Sequence, residues 1–280
     1  MKKVVGKRLS WSVLISYIYV SILAIVSVFP LLWMFITSIK SPGETSRNPI
    51  AFFPETITFD NYVRVFTELG FGTNLLNSLF ISLSATAITI VVSSLAAYGI
   101  VRFFPKSGKR MTRVLLMTYM FPPILLAVPY TIIISQLGLV NTWTGLIIAY
   151  LSFSIPFATW MLVGFFRTVP LEIEESASVD GAGKLRVFIQ IVIPIVMPGI
   201  VATAIYTFIN TWNEFLFALL FINSSEKMPI SVALYSLTGT EILDWGAIMA
   251  ASVIVILPTV IFFTLIQNHI AGGLSEGSIK

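Results

Sequence analysis

Long apolar runs separated by short polar segments dominate the pattern of this 280-residue sequence. Six of the runs are long enough for a helix of about 20 residues, the length that crosses roughly 30 Å of hydrocarbon. They lie near residues 13–36, 76–101, 114–134, 145–166, 195–222 and 246–268. The pattern therefore predicts an all-α membrane protein with six transmembrane helices.

The first apolar run follows a short basic segment, an arrangement that also occurs in signal peptides. The run is longer than a signal-peptide core and has no convincing small-residue cleavage site, so we expect a retained first span. The predicted organisation is a tail at 1–12, the first span at 13–36, an extracytoplasmic loop at 37–75, a core at 76–268 and a second tail at 269–280. Within the loop, we expect a short amphipathic helix that starts at Asp60 and has Tyr62, Val63 and Phe66 on one side.

The basic residues are distributed unequally between the two sides of the predicted bundle. With the amino terminus placed inside, thirteen of the 17 Lys and Arg residues lie on the inner side and four on the outer side. Cytoplasmic loops of membrane proteins are enriched in Lys and Arg. The sequence therefore predicts a multi-pass protein of the cell membrane with both termini in the cytoplasm.

Composition excludes several classes of protein. Hydrophobic residues make up 56% of the chain and charged residues only 11%, too few to cover a soluble globule of this size. The net charge of +4 comes from clusters that flank the apolar runs, so we expect no nucleic-acid partner. With no cysteine and only one histidine, no thiolate or histidine-cluster metal site is available.

A polar segment between the fourth and fifth spans, residues 168–194, is predicted to form a helical hairpin. Pro170 and the acids after it suit a first helical turn, where the helix dipole favours negative charge. Gly181 then marks the end of this helix, since glycine accepts the left-handed backbone of a helix terminus. The second helix has one apolar stripe, formed by Leu185, Phe188, Ile189 and Val192. The lipid surface, the protein's own spans or another protein's groove could cover this stripe.

The order of residues in the hairpin resembles the EAA motif of importer permeases of the ATP-binding-cassette class. That motif has Glu-Ala-Ala, two further residues, Asp-Gly-Ala, and later a phenylalanine and two prolines. The matching residues are Glu175, Ala177, Asp180, Gly181, Ala182, Phe188, Pro194 and Pro198. Ser176 stands where the family usually has alanine, which is a small change in volume.

Four further stretches resemble the carbohydrate-uptake branch of this class, especially its six-span, maltose-permease-type subunit. They read FPETITFDNY, NTWTGLIIAY, PFATWMLVGFFRTVPLEIEE and TWNEFLFALLF. The resemblance implies that the hairpin consists of coupling helices that dock in a cleft of an ATPase subunit. The ATPase-coupling residues would be Glu175, Ser176, Ala177, Asp180, Gly181, Ala182, Leu185, Phe188 and Pro194.

The resemblance also implies a complete transport assembly in which this chain is the membrane subunit for a sugar or related polyol. Its partners would be a second permease subunit in a heterodimer, two ATP-binding-cassette ATPase subunits and an extracytoplasmic solute-binding protein. The ATPases would bind ATP and Mg²⁺, so this chain would have no cofactor and no catalytic residue of its own. The outer loop at 223–244 would meet the binding protein, or it is a simple connector.

One acid, Glu214, falls inside a predicted span, where a carboxylate is costly unless it is paired, solvated or protonated. We therefore expect it to face the interior of the bundle. Tyr206, Asn210 and Asn213 accompany it as a polar stripe. The stripe could line the translocation path for a polyol-like substrate, or it could hold helices or subunits together by buried hydrogen bonds.

Two rival functions belong to other classes. An ion-coupled secondary carrier would work without an ATPase and would use Glu214 as its proton site, although such carriers tend to have several intramembrane ionisable residues. A membrane-anchored scaffold or sensor would not transport, although the chain has little soluble domain with which to sense. The sequence itself contains no Gly-rich phosphate loop for ATP hydrolysis.

Overall fold

The computed structural model describes residues 11–48, 50–239 and 243–276, with side chains given as far as residue 264 except for Ser46. Most of the predicted tail at 1–12 and the last residues of the tail at 269–280 lie outside this range. Helices account for all regular structure in the described residues, and no strand occurs among them.

Thirteen α-helices occur in the described part of the chain. They are α1 (Trp11–Ser38), α2 (Glu44–Arg47), α3 (Asp60–Thr67), α4 (Phe71–Phe103), α5 (Gly108–Tyr119), α6 (Pro123–Gln136), α7 (Trp143–Phe166), α8 (Leu171–Val179), α9 (Lys184–Val187), α10 (Ile193–Trp212), α11 (Leu216–Phe221), α12 (Ile230–Ser236) and α13 (Trp245–Glu276). A π-helical segment at Phe188–Val192 joins α9 to α10.

Five continuous helical segments of the described chain have the length and apolarity of a membrane span. These are α1, α4, α7, the first 20 residues of α13, and the continuous run from Lys184 to Trp212. The remaining predicted span, 114–134, corresponds to the pair α5 and α6. The predicted all-α membrane fold is confirmed.

The third predicted span, 114–134, is wrong as a single helix. The axes of α5 and α6 differ by 87°, with the break next to Pro122 and Pro123. Neither proline has an N–H to donate, and a residue before proline is driven to extended backbone. Pro122 accordingly has ψ 123°, which ends one helix before the next begins at Pro123.

The described chain divides into two compact units, and the first comprises residues up to 69 together with 237–254. Its polar centre is Asn61, whose Nδ2 donates to the carbonyl oxygens of Ser38 at 3.0 Å and Lys40 at 2.8 Å. The helix predicted to start at Asp60 is confirmed as α3. Its predicted apolar side is wrong, however, because Val63 and Phe66 are exposed while Asn61 and Val65 are buried.

The second unit comprises residues 70–236 and the chain from 255 onwards. In it α4 packs along α7, and α10 packs on both. Two apolar clusters lie along these helices. One includes Ile81, Leu146 and Phe217, and the other includes Ala97, Leu162 and Phe188. Because the second cluster contains residues of α4, α7 and the π-helical segment, the hairpin is built into the core of this unit.

Candidate functional site: the hairpin and the aromatic cavity

The first arm of the hairpin has the predicted helix signals. Pro170 is extended, with ψ 140°, and α8 follows it with acids in the first turn. After α8 the chain turns at Gly181, which has φ +83°, and the N–H of Ala182 donates to the carbonyl of Ala177 at 3.0 Å. The predicted start, the predicted stop and the left-handed glycine are confirmed.

The second arm runs from α9 through the π-helical segment into α10. Pro194 is the second residue of α10, two residues after the end of that segment at Val192. Proline cannot donate in an α-helical ladder and clashes with the carbonyl four residues earlier, whereas a wider π turn relieves this crowding. The second arm and the fifth span are therefore one continuous helical element, joined at the place predicted for Pro194.

The predicted apolar stripe is divided by the structure. Leu185 and Ile189 are 67% and 53% exposed, whereas Phe188 and Val192 are 8% and 0% exposed. The π-helical segment changes the angle between successive side chains, so these four residues do not share one face. The prediction that Phe188 offers itself to a partner protein is wrong, because its ring packs on Tyr98 of α4, with ring centroids 4.8 Å apart.

The remaining motif residues lie on the accessible side of the hairpin. Glu175, Ser176, Asp180 and Gly181 are exposed, and Ala177 and Ala182 are half-buried. The Ser176 hydroxyl donates to the carbonyl of Glu172 in its own helix at 2.8 Å, so this serine stays on the helix surface much as alanine would. A shallow groove beside these residues is lined by Gly183, Lys184, Leu185, Arg186, Ile189 and Gln190.

Sequence reasoning missed the role of Glu174, which is buried although its neighbour Glu175 is exposed. Its Oε1 accepts from Arg102 Nε at 2.5 Å, and its Oε2 accepts from the Tyr98 hydroxyl at 2.7 Å. Arg102 Nη2 also donates to the carbonyl of Val169 at 2.8 Å. The one signal in the sequence was the spacing of Tyr98 and Arg102, which places both on one face of α4.

A cavity of about 320 Å³ lies among α5, α6, α7, α10 and α11. Its aromatic lining residues are Tyr119, Phe121, Tyr150, Phe153, Phe157, Tyr206 and Phe217. Its polar lining residues are Ser154, Thr207, Asn210, Thr211 and Glu214. Large aromatic faces next to a few polar groups are typical of pockets for small organic ligands.

The aromatic wall of the cavity is held by a pair of hydroxyl groups. Tyr119 and Tyr206 approach within 2.6 Å through their hydroxyl oxygens. Phe157 stacks on Tyr206 with ring centroids 4.2 Å apart and contacts Tyr119 at 4.6 Å. Since each ring is fixed by two neighbours, this wall is preformed.

The predicted polar stripe on the fifth span is only partly assembled. Tyr206, Asn210 and Glu214 line the cavity, as expected for an inward-facing stripe. Asn213 does not line it, and its amide donates to the carbonyl of Ile209 at 2.8 Å in its own helix. Asn210 likewise donates to the carbonyl of Tyr206 at 2.8 Å.

Glu214 lies in a break of the predicted fifth span, between the end of α10 and the start of α11. Its two carboxylate oxygens accept from the N–H groups of Phe217 at 2.9 Å and Ala218 at 3.1 Å. The first N–H groups of a helix have no partner in the helix itself, so this carboxylate caps α11. The cost of an acid in this position is offset by those hydrogen bonds, and 195–222 is wrong as a single helix.

The loop after α11 is folded back onto the second unit. Asn141 Oδ1 accepts from the N–H groups of Asn223 and Ser224, both at 3.1 Å. Asn77 Nδ2 donates to the carbonyl oxygen of Glu226 at 2.8 Å. The first part of the predicted outer loop is therefore an ordered segment, while Glu241 lies outside the described residues.

Comparison with known proteins matches residues 89–276 to the family described as the inner membrane component of binding-protein-dependent transport systems. The chain belongs to this family. A sulfoquinovosyl glycerol transport system permease protein of Agrobacterium fabrum is 35% identical, covering 94% of this chain and 93% of its own. A trehalose transport system permease protein of Mycobacterium tuberculosis is 36% identical, covering 91% and 93%.

A solved structure shares the fold of this family member. It is a bacterial ABC transporter involved in the import of the acidic polysaccharide alginate, with a TM-score of 0.78 and 21% identity. The match covers 94% of this chain and 99% of the other. The resemblance to importer permeases drawn from the hairpin motif is confirmed, and the chain is a multi-pass membrane permease, which is not itself the enzyme of the transport system.

Proposed function

We propose that the chain is the translocating subunit of an ATP-driven importer for a sugar or a related polyol. The observation that carries this proposal is the exposed hairpin. Its second arm carries the accessible groove and continues without a break into the fifth span. Leu185 and Ile189 offer apolar area there, and Glu175 and Asp180 offer carboxylates beside it. Such a surface fits the cleft of an ATPase subunit, and movement of the cleft would then reach the spans directly.

A saccharide fits the chemistry of the cavity. The apolar faces of sugar rings pack on aromatic rings, while their hydroxyl groups need donors and acceptors nearby. The cavity has Tyr206 and Phe157 on one wall, with Asn210 and Thr211 beside them. Named relatives act on a sulfoquinovosyl glycerol and on trehalose, which supports this substrate class.

The assembly around the chain contains subunits that supply what the chain lacks. Two ATPase subunits bind ATP and Mg²⁺, and the chain itself holds no cofactor. A second permease subunit covers much of α1, most of whose side chains are exposed. A solute-binding protein delivers the sugar to the outer loops. Both termini and the hairpin face the cytoplasm, as the positive-inside rule favours.

The main rival, an ion-coupled carrier with Glu214 as its proton site, has less support. Both oxygens of Glu214 already accept hydrogen bonds from the backbone of α11. Protonation would weaken this cap, which makes Glu214 a poor site for repeated proton exchange.

The test is reconstitution into liposomes, first of the chain alone and then of the complex with the ATPases, second permease and binding protein. We expect uptake of a labelled sugar only in the full complex, and only with ATP. A Glu214→Gln variant of the chain alone, compared with the unchanged chain under a proton gradient, addresses the rival. Uptake by the unchanged chain alone that is lost in Glu214→Gln would overturn the proposal.

A further inference from the structure

The hairpin is connected covalently to only two spans. Residues 167–170 link α8 to α7, and the π-helical segment links α9 to α10. The helix α4 is distant in sequence, but its last turns contact both arms of the hairpin. Through these contacts α4 has a direct connection to the hairpin that the chain order does not provide.

The first contact is the ion pair of Arg102 with Glu174. The side chains are 13% and 8% exposed, and the Tyr98 hydroxyl donates to the second carboxylate oxygen. A buried pair of this kind gains little net stability over apolar side chains, because both charges lose their hydration. What it provides is one fixed geometry, since each hydrogen bond has a defined direction.

The second contact is made by the same tyrosine. The ring of Tyr98 packs on Phe188 of the second arm with centroids 4.8 Å apart, while its hydroxyl binds Glu174 of the first arm. One residue of α4 therefore holds both arms. A rotation of the hairpin relative to α4 would break a buried hydrogen bond and separate two packed rings at once.

We propose that Tyr98, Arg102 and Glu174 form a latch that makes the end of α4 move together with the hairpin. On this inference, which rests on the proposed function, ATPase-driven movement of the hairpin reaches α4 as well as α10. The helix α4 packs along α7 and α10, so the latch distributes one displacement over the core of the second unit. These three are positioning residues, since none lines the cavity.

The test uses the complete complex in liposomes, with sugar uptake and ATP hydrolysis measured in the same preparation. In Arg102→Gln and Glu174→Gln, we expect ATP hydrolysis to continue while the sugar imported per ATP falls about fivefold or more. Arg167→Gln and Glu172→Gln are matched controls, because these exposed side chains have the same charges, Arg167 lies just before the hairpin and Glu172 lies in its first arm. The controls should keep the ratio of the unchanged complex.

A milder variant separates coupling from a merely structural role. Tyr98→Phe removes one hydroxyl group and keeps the ring on Phe188, so the complex should assemble with a smaller fall in the ratio. An unchanged ratio in all three latch variants would overturn the proposal. Loss of assembly in the two charge variants, together with an unchanged ratio in Tyr98→Phe, would overturn it as well, because the latch would then serve folding alone.

A second readout does not depend on sugar transport. The chain has no cysteine, so spin labels can be placed on it at Phe104→Cys and Leu171→Cys alone. In the complex, the distance distribution between the labels should stay narrow with and without bound nucleotide, and it should broaden in Glu174→Gln. Equal widths in both proteins would contradict the latch. Failure of the unchanged complex to import sugar, with these widths as expected, would contradict only the proposed function.

Discussion

Single residues set the geometry of the hairpin at positions where the backbone adopts a conformation that most residues avoid. Gly181 is such a residue, with φ +83° between the two arms. A Cβ at this position would meet no atom within 4 Å, so a side chain there would cost only backbone strain. Gly183, two residues later, has φ −68° and equal free space, and it can accept a side chain without strain.

Replacement of Gly181 should therefore uncouple sugar import from ATP hydrolysis. The loss should be larger for residues that tolerate the left-handed backbone less well. Left-handed geometry costs most L residues about 1–2 kcal/mol and asparagine less, so Gly181→Val should lower the sugar imported per ATP more than Gly181→Asn. The spans should remain inserted in both. Gly183→Ala is the control and should behave as the unchanged chain. Loss of membrane insertion in Gly181→Val would instead assign the glycine a role in folding.

Glu214 shows what single-residue reasoning could and could not predict. The cost of a charge in lipid correctly predicted an inward-facing acid, because that argument needs only the position in the span. The capping of α11 could not be predicted, because no proline or glycine in the sequence marks the break of the helix at this point. The same limit applied to Glu174, whose partner Arg102 is brought near it only by the packing of α4 on α7.

At the scale of elements, the second arm of the hairpin separates residues that stabilise the fold from residues free to bind. Phe188 is packed in the core, and Leu185 and Ile189 are exposed. A strict α-helical pattern predicted one stripe, and it was wrong because the π-helical segment adds an extra residue to the turn. That segment is a response to Pro194, but the sequence does not indicate where along the arm the wider turn will be placed.

These two groups should respond differently to substitution. Phe188→Ala removes a buried ring and should lower the stability of the permease by about 3–5 kcal/mol, seen as a lower Tm of the purified subunit. Leu185→Ser and Ile189→Ser should leave that Tm unchanged and reduce the amount of ATPase that co-purifies. Leu171→Ser, at an exposed leucine outside the groove, is the control. Normal ATPase retention in a variant that combines Leu185→Ser with Ile189→Ser would contradict docking at the groove.

The segment that follows α1 is held by a carboxylate whose pKa is lowered. Burial alone would raise the pKa of Glu44, but hydrogen bonds from the N–H of Glu55 at 3.0 Å and from the Ser41 hydroxyl at 3.0 Å bring it below its ordinary value of 4.5. A group with a lower pKa in the folded state adds stability above its unfolded pKa and loses it as the pH falls through the folded one. The local stabilisation is therefore complete at neutral pH and disappears in acid.

Acidification below the ordinary carboxyl range should consequently loosen this segment. Hydrogen exchange at the Glu55 amide should accelerate relative to the intrinsic rate as the pH falls below 4.5, the ordinary pKa of Glu44. In Glu44→Gln, the Glu55 amide should exchange fast at every pH, because the glutamine side chain has only one acceptor oxygen and no charge. Glu55→Gln keeps the backbone donor and serves as the control. An acceleration that persists unchanged in Glu44→Gln would place the titrating group elsewhere.

For the whole molecule, the count and apolarity of the spans could be predicted because hydrocarbon thickness imposes one length on every crossing helix. The two breaks within spans differ in how clearly the sequence marks them. The bend between α5 and α6 is marked by Pro122 and Pro123, and it could have been predicted from them. The break at Glu214 could not. The family could be recognised because the residues of the hairpin motif lie close together in the sequence. The cavity could not be recognised in this way, because its lining residues come from five helices.

The orientation of the whole molecule gives the last prediction, which depends on charge and needs no contact to be known. The positive-inside rule predicts that the hairpin lies in the cytoplasm and that the loop after the first span lies outside. Val179 on the hairpin is 87% exposed and Ile50 in that loop is 84% exposed, and the chain has no cysteine of its own. Single Val179→Cys and Ile50→Cys variants can therefore be labelled with a maleimide that does not cross membranes. We expect Val179→Cys to react only in inside-out vesicles and Ile50→Cys only in right-side-out vesicles. The reverse pattern would place the hairpin outside, away from ATP, and would contradict the proposed coupling to an ATPase.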